Sequence, residues 1–147
     1  MKATDKSTHL AIKRSADLMP TLVKLRSRLE RAFSPSTAAP GFSGSAPSTG
    51  HCAAVSAILS KWIGATMVST RIAGQSHWFN RLRVGNREYD IDLTGDQYGL
   101  EPVRIANANA LYPETRVRSE QDLNADTLAR ARRLAAHAGF VEIAGSL

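Results

Sequence analysis

Leu18, Leu22, Leu25, Leu29 and the pair Ala32/Phe33 recur at helical spacing, with Lys24, Arg26, Arg28 and Arg31 between them. This pattern predicts an amphipathic helix over about 17–33, its leucine stripe seeking a core and its basic face turned outward. Pro20 falls in the first turn, where a missing N–H costs nothing. Residues 1–16 show no such pattern and are expected to be a flexible N-terminus. Residues 34–50 lose all periodicity: five Ser, three Pro and three Gly in seventeen positions predict a long loop, either a lid or a tether. Helical spacing returns with Val55, Ile58, Leu59 and Trp62, giving a second helix over about 52–63, with Ser48 or Thr49 to cap it and Gly64 to close it.

From Thr66 the period becomes two. Strands are predicted over 67–72, 76–84 and 87–94, with Gly85-Asn86 as a two-residue hairpin turn between the last two. Residues 95–115 are irregular apart from a short element near 103–106. A last helix over about 124–138 turns Leu128, Ala131, Leu134/Ala135 and Ala138 inward, with Gly139 beyond its end. The order predicts one α+β domain over 17–147. In it a central helix packs on a small antiparallel sheet, flanked by N- and C-terminal helices.

Composition narrows the function classes. The chain has 147 residues, 43% hydrophobic and 22% charged, enough apolar material for an ordinary core. The longest uncharged run, 32–60, is broken by Ser, Pro and Gly and offers no membrane span. The start carries Asp5, Lys6, Lys13, Arg14 and Asp17 instead of a signal-peptide hydrophobic stretch. The expected location is cytoplasmic, although a secreted effector role is compatible with the chain. The formal charge of +6 is local: residues 1–33 hold 8 Lys/Arg against 3 Asp/Glu, and residues 34–147 hold 11 against 10. That distribution argues against nucleic acid as a partner. With one cysteine, an intrachain disulfide and a four-cysteine zinc site are excluded.

That cysteine, Cys52, opens the second helix, where free N–H groups and the helix dipole favour a thiolate. A nucleophilic Cys needs a base, and His77 on the second strand is the candidate. His9 lies in the unpatterned start, His137 in a basic helix end, and His51 points away from its neighbour in a first helical turn. A third group must orient the base, and Asp90 and Asp92 share one face of the third strand. The Gly85-Asn86 turn pairs Arg83 with Glu88, Arg81 with Asp90, Phe79 with Asp92 and His77 with Thr94. Arg81 thereby occupies Asp90, and Asp92 lies diagonal to His77. Trp78 and Asn80 fall on the opposite, core-facing side. Trp78 is also placed to screen the site from water.

Gly50-His51-Cys52-Ala53-Ala54-Val55, Ser76-His77-Trp78-Phe79-Asn80-Arg81 and Tyr89-Asp90-Ile91-Asp92-Leu93-Thr94 together resemble the bacterial YunG-like proteins. These in turn look like small relatives of the papain and transglutaminase-like Cys-His-Asp fold, and the resemblance covers roughly residues 20–140. It implies a papain/transglutaminase-like core with Cys52 as nucleophile, His77 as base and Asp92 as orienting group. Relatives commonly carry Gln where this chain has His51. No Asn or Gln precedes Gln75, so the upstream side-chain oxyanion donor of papain-like enzymes is missing. The Cys52 N–H, His51, a loop hydroxyl or Gln75 are candidates to replace it, and Trp78 and Asn80 for further substrate contacts.

The expected function is cysteine-dependent acyl transfer on a peptide, protein or small amide or ester, as hydrolase, peptidase, deamidase or transglutaminase. No cofactor or metal is called for. Two other classes stand beside it: a catalytically inactive papain-fold binding module, and a binder of nucleic acid or acidic partners through the basic helices. The latter would use Lys24, Arg26, Arg28 and Arg31 with Arg130, Arg132 and Arg133. A metal site from His51, Cys52, His77 and Asp92 is disfavoured by adjacent ligands at a helix start.

Overall fold

A computed structural model of the chain describes residues 12–41 and 44–147. The leucine stripe produces helix α1 (Leu18–Glu30), preceded by a 3-10 turn at Ser15–Asp17. Leu18, Leu22, Leu25 and Leu29 are all buried, as the spacing requires. Part of the expected flexible N-terminus is instead docked: Ile12 packs against the core and the Ser15 hydroxyl meets the Tyr89 hydroxyl at 2.5 Å. The rest of that expectation, residues 1–11, lies outside the described residues.

Helix α2 (Cys52–Ile63) carries nine buried residues and ends at Gly64 in the left-handed conformation (φ 71°). Strands β1 (Thr66–Ile72), β2 (Gln75–Val84) and β3 (Arg87–Asp92) follow, then β4 (Arg104–Asn107) and β5 (Arg116–Arg118). They form one antiparallel sheet of order β4-β3-β2-β1-β5. Helices α3 (Ala125–His137) and α4 (Val141–Ser146) complete the α+β fold. Asn124 caps α3 by accepting from the Thr127 N–H at 2.7 Å. Among the described residues no helix is long and apolar enough to cross a membrane.

The hairpin register is the expected one. Arg83 pairs with Glu88, Arg81 with Asp90 and Asn80 with Ile91, and Gly85 takes φ 64° as first turn residue. There the ladder stops, so the Phe79–Asp92 and His77–Thr94 pairs do not form. Helix α2 takes the freed backbone: Ser56 Oγ donates to the Phe79 carbonyl and Asn80 Nδ2 to the Ser56 carbonyl, both at 3.0 Å. These bonds dock the Cys-bearing helix against β2. The sheet's two faces differ accordingly. Met67, Ile91 and Leu82 join the main core under the helices, while Val68, Phe79 and Tyr112 form a second, smaller cluster on the other side.

The outward basic face of α1 is corrected by two residues. Arg26 is buried, and its guanidinium bonds to the Leu93 carbonyl, both Asp96 oxygens, Glu30 and the Pro102 carbonyl at 2.9–3.3 Å. Arg28 lies over the Phe140 ring at 3.8 Å and donates to the Ala138 carbonyl. Helical spacing cannot foresee this, because the acceptors come from segments some 70 to 110 residues away.

The long loop is a fitted piece of the fold. Thr37 and Ser48 are fully buried. Ala39 N–H bonds to the Gly50 carbonyl, and Arg133 of α3 donates to the Ser36 carbonyl. Gly50 has φ 80°, and a side chain there would press on the Ala39 backbone at 3.0 Å.

Candidate active site

Cys52 is the first residue of α2, and His51 is its N-cap position. Neither Ser48 nor Thr49 caps the helix as expected. Ser48 instead closes a turn with the His51 N–H, and no side chain caps the helix start. The first N–H groups of α2 therefore have no intrahelical acceptor and face outward at Cys52.

His77 enters from β2 and is fully buried. Its Nε2–H donates to Asp92 Oδ2 at 2.8 Å. Cys52 lies near enough to the same ring to act on its charge. The three residues singled out by the sequence are thus brought together in one chain of contacts. Asp92 is also fully buried and is held on both oxygens: Thr94 donates to Oδ1 from its N–H (2.9 Å) and hydroxyl (3.3 Å), and the Tyr112 hydroxyl donates to Oδ2. Arg104 in turn donates to the Tyr112 oxygen at 3.0 Å.

These contacts set the charges. Burial presses the His77 imidazole toward neutrality, but the hydrogen bond to Asp92 and then the contact with Cys52 outweigh it and hold its pKa up at about 9. Burial likewise pushes the Asp92 carboxyl up, yet His77, Tyr112 and Thr94 bring it below its usual value. Burial, with Cys52 and Asp92 nearby, pushes Tyr98 up to about 12. The Tyr98 ring stands edge-on to His77 at 5.0 Å, and its buried hydroxyl has no partner.

The other candidates divide. His51 is turned into the loop: Nε2 meets Thr37 Oγ1 at 2.7 Å, Nδ1 meets the Thr49 carbonyl at 3.0 Å, and the Phe33 ring lies tilted against it, centroids 4.2 Å apart. Both nitrogens are occupied, so the expected oxyanion role does not fit its position. Asn80 is buried and bound to α2, which removes it from substrate contact. Gln75 and Trp78, by contrast, line an open cleft of about 460 Å³ beside Cys52.

Sequence reasoning missed Gln97. Its Nε2 lies 3.3 Å from His77 Nδ1 and 3.4 Å from Thr94 Oγ1, carried there by the 3-10 turn Gly95–Tyr98. That turn is pinned by Asp96, which Arg26 and the Ser48 hydroxyl (2.5 Å) both grip. Gly95 has no room for a side chain: a Cβ would fall 2.8 Å from the Glu101 carbonyl. Among the described residues, no group of three or more His, Cys, Asp or Glu is placed to hold a metal ion.

The family model described as YunG protein matches residues 21–136. No curated protein and no solved structure matches the chain.

Proposed function

The chain belongs to the YunG family, and on that footing we propose that it is a cysteine-dependent acyl-transfer enzyme on a papain/transglutaminase-like core. The observation that carries this reading is the buried line of contacts from Cys52 through His77 to Asp92, opening on a cleft at the start of α2. The reaction uses Cys52 as the thiolate and His77 as its imidazolium partner. The sulfur attacks an amide or ester carbonyl, forming a C–S bond and a tetrahedral oxyanion. His77 gives its Nδ1 proton to the leaving nitrogen or oxygen as that bond breaks. Water or an amine then attacks the thioester, His77 takes a proton from it, and the thiolate leaves.

The oxyanion needs donors. The Cys52 N–H is one, and the Gln97 amide, 3.3 Å from His77 Nδ1, is the second. It comes from downstream of the nucleophile, replacing the missing upstream residue. Asp92 keeps the ring oriented and stabilises its positive charge.

Alkylation of Cys52 by iodoacetamide tests the reading. A free thiol titrates near about pH 8.5, whereas an ion-paired one reacts far below that. Rapid labelling at about pH 6 that His77→Ala slows by about 10²-fold is the expected result. Slow labelling that rises only above about pH 8 and ignores the substitution would sink it and favour an inactive binding module.

A further inference from the structure

The cleft outside Cys52 has a definite charge. Arg71, at the end of β1, and Arg130, on α3, line it together with Gln75, Ser76 and Trp78, and no carboxylate does. Four other arginines pair with acids: Arg14 with Asp17, Arg26 with Asp96 and Glu30, Arg81 with Asp90 and Arg83 with Glu88, while Arg28, Arg104 and Arg133 bond to neutral oxygens. The two cleft arginines likewise have neutral acceptors. Arg71 donates to the Gly74 carbonyl at 2.6 Å and Arg130 to the Thr127 hydroxyl at 2.9 Å. Asp126, one turn before Arg130, makes no ion pair with it.

The positive field extends past Arg71. An adjoining hollow adds Arg116 and Arg118 against one carboxylate, Glu114, and Arg118 also lies over the Trp78 ring at 5.4 Å. The uncapped start of α2 contributes a further positive end at Cys52 itself. Guanidinium groups with spare N–H donors on a cleft wall suit a planar carboxylate, which they can hold through paired hydrogen bonds.

We propose that Arg71 and Arg130 form an anion subsite, so that the acyl group delivered to Cys52 carries a carboxylate close to the reacting carbonyl, as an acidic peptide does. This rests on the acyl-transfer reading and names its substrate class. The carboxylate binds across the cleft wall, Trp78 covers the apolar part of the acyl chain, and the carbonyl is presented to the sulfur.

The test compares iodoacetate, which carries a carboxylate, with iodoacetamide, its neutral counterpart. Second-order rates at Cys52 are measured for the wild type, Arg71→Gln and Arg130→Gln, with N-acetylcysteine as the free-thiol reference. The expected wild-type preference for iodoacetate exceeds the reference preference by about tenfold, and falls severalfold in each variant and at high salt. The iodoacetamide rate stays constant, which shows that the variants are folded and Cys52 intact. A preference equal to the reference overturns the subsite. So does a preference that both substitutions leave unchanged, since the charge then comes from His77, the start of α2 or Arg116 and Arg118 and not from these two side chains. Labelling by neither reagent fails differently: it removes the reactive cysteine of the acyl-transfer reading, and the subsite with it.

Discussion

His51 and His77 are both buried and both adjoin Cys52, one in sequence and the other in space. Their surroundings act in opposite directions. Around His51 the partners are a hydroxyl, a carbonyl and a phenyl ring, and burial holds its pKa below the ordinary value, so the ring stays neutral. Around His77 burial is outweighed by the Asp92 carboxylate first and Cys52 second, and Asp92 is itself kept ionised by His77, Tyr112 and Thr94. A buried histidine is therefore no sign of chemistry. What separates the two is an ionised partner whose own charge is supported by further donors.

Removing that partner gives the largest expected effect. Asp92→Asn keeps the shape but not the charge, and lowers Cys52 alkylation at about pH 6 by about 10²-fold. His51→Asn leaves the rate within about threefold and instead lowers the melting temperature by several degrees, because Thr37 and the Thr49 carbonyl lose their partner. Equal losses of reactivity in the two variants would erase the contrast.

The two histidines are also expected to have opposite pH signatures in stability. His77 has its pKa raised from 6.5 to about 9 in the folded chain, so its contribution is complete below 6.5 and is lost as pH rises through about 9. Asp92, lowered from 3.8, contributes above that value and loses its contribution as pH falls through its folded pKa. His51, lowered from 6.5, favours the folded chain above 6.5 and is a burden below it. The melting-temperature gap between wild type and His77→Gln should thus be widest between about pH 4 and pH 6.5, about 5 °C, and close toward about pH 9. The gap for His51→Gln should widen as pH rises past about 6.5 and narrow below it. Differential scanning fluorimetry across this range reads both, and parallel curves would show that the two rings share one protonation state.

Much of this was legible in the chain, for reasons that can be assigned. The bounds of α2 followed from its apolar spacing and Gly64. The β2–β3 register followed from a two-residue turn and two opposite-charge pairs, and it led from Asp90 to Asp92. What escaped has a common cause. Strand β5 is three residues long, with Val117 mostly exposed, so it leaves no alternation to read. Gln97, Tyr98 and Tyr112 lie in the stretch read as irregular, where position is set by distant bonds rather than by period. Arg26 reaches that stretch from α1 and Ser48 reaches it from the loop, both through Asp96. The same bonds withdraw Arg26 from the basic face it was expected to present.

Gln97 gives a smaller effect than Asp92 and the sharpest test of how the two histidine surroundings differ in use. Its amide nitrogen lies 3.3 Å from His77 Nδ1, and against the protonated ring two donors meet there, so it does not stabilise the resting imidazolium. Its value lies in the acylation step, where an oxyanion builds beside Cys52. Gln97→Leu is therefore expected to leave alkylation by iodoacetamide unchanged, since no oxyanion forms in that reaction. Acylation by p-nitrophenyl acetate should fall by about tenfold, less than for an amide because the activated leaving group asks less of the donor. Stopped-flow release of nitrophenolate measures the burst. A loss of both reactions together would mean that Gln97 holds the imidazole in place and donates nothing to the substrate.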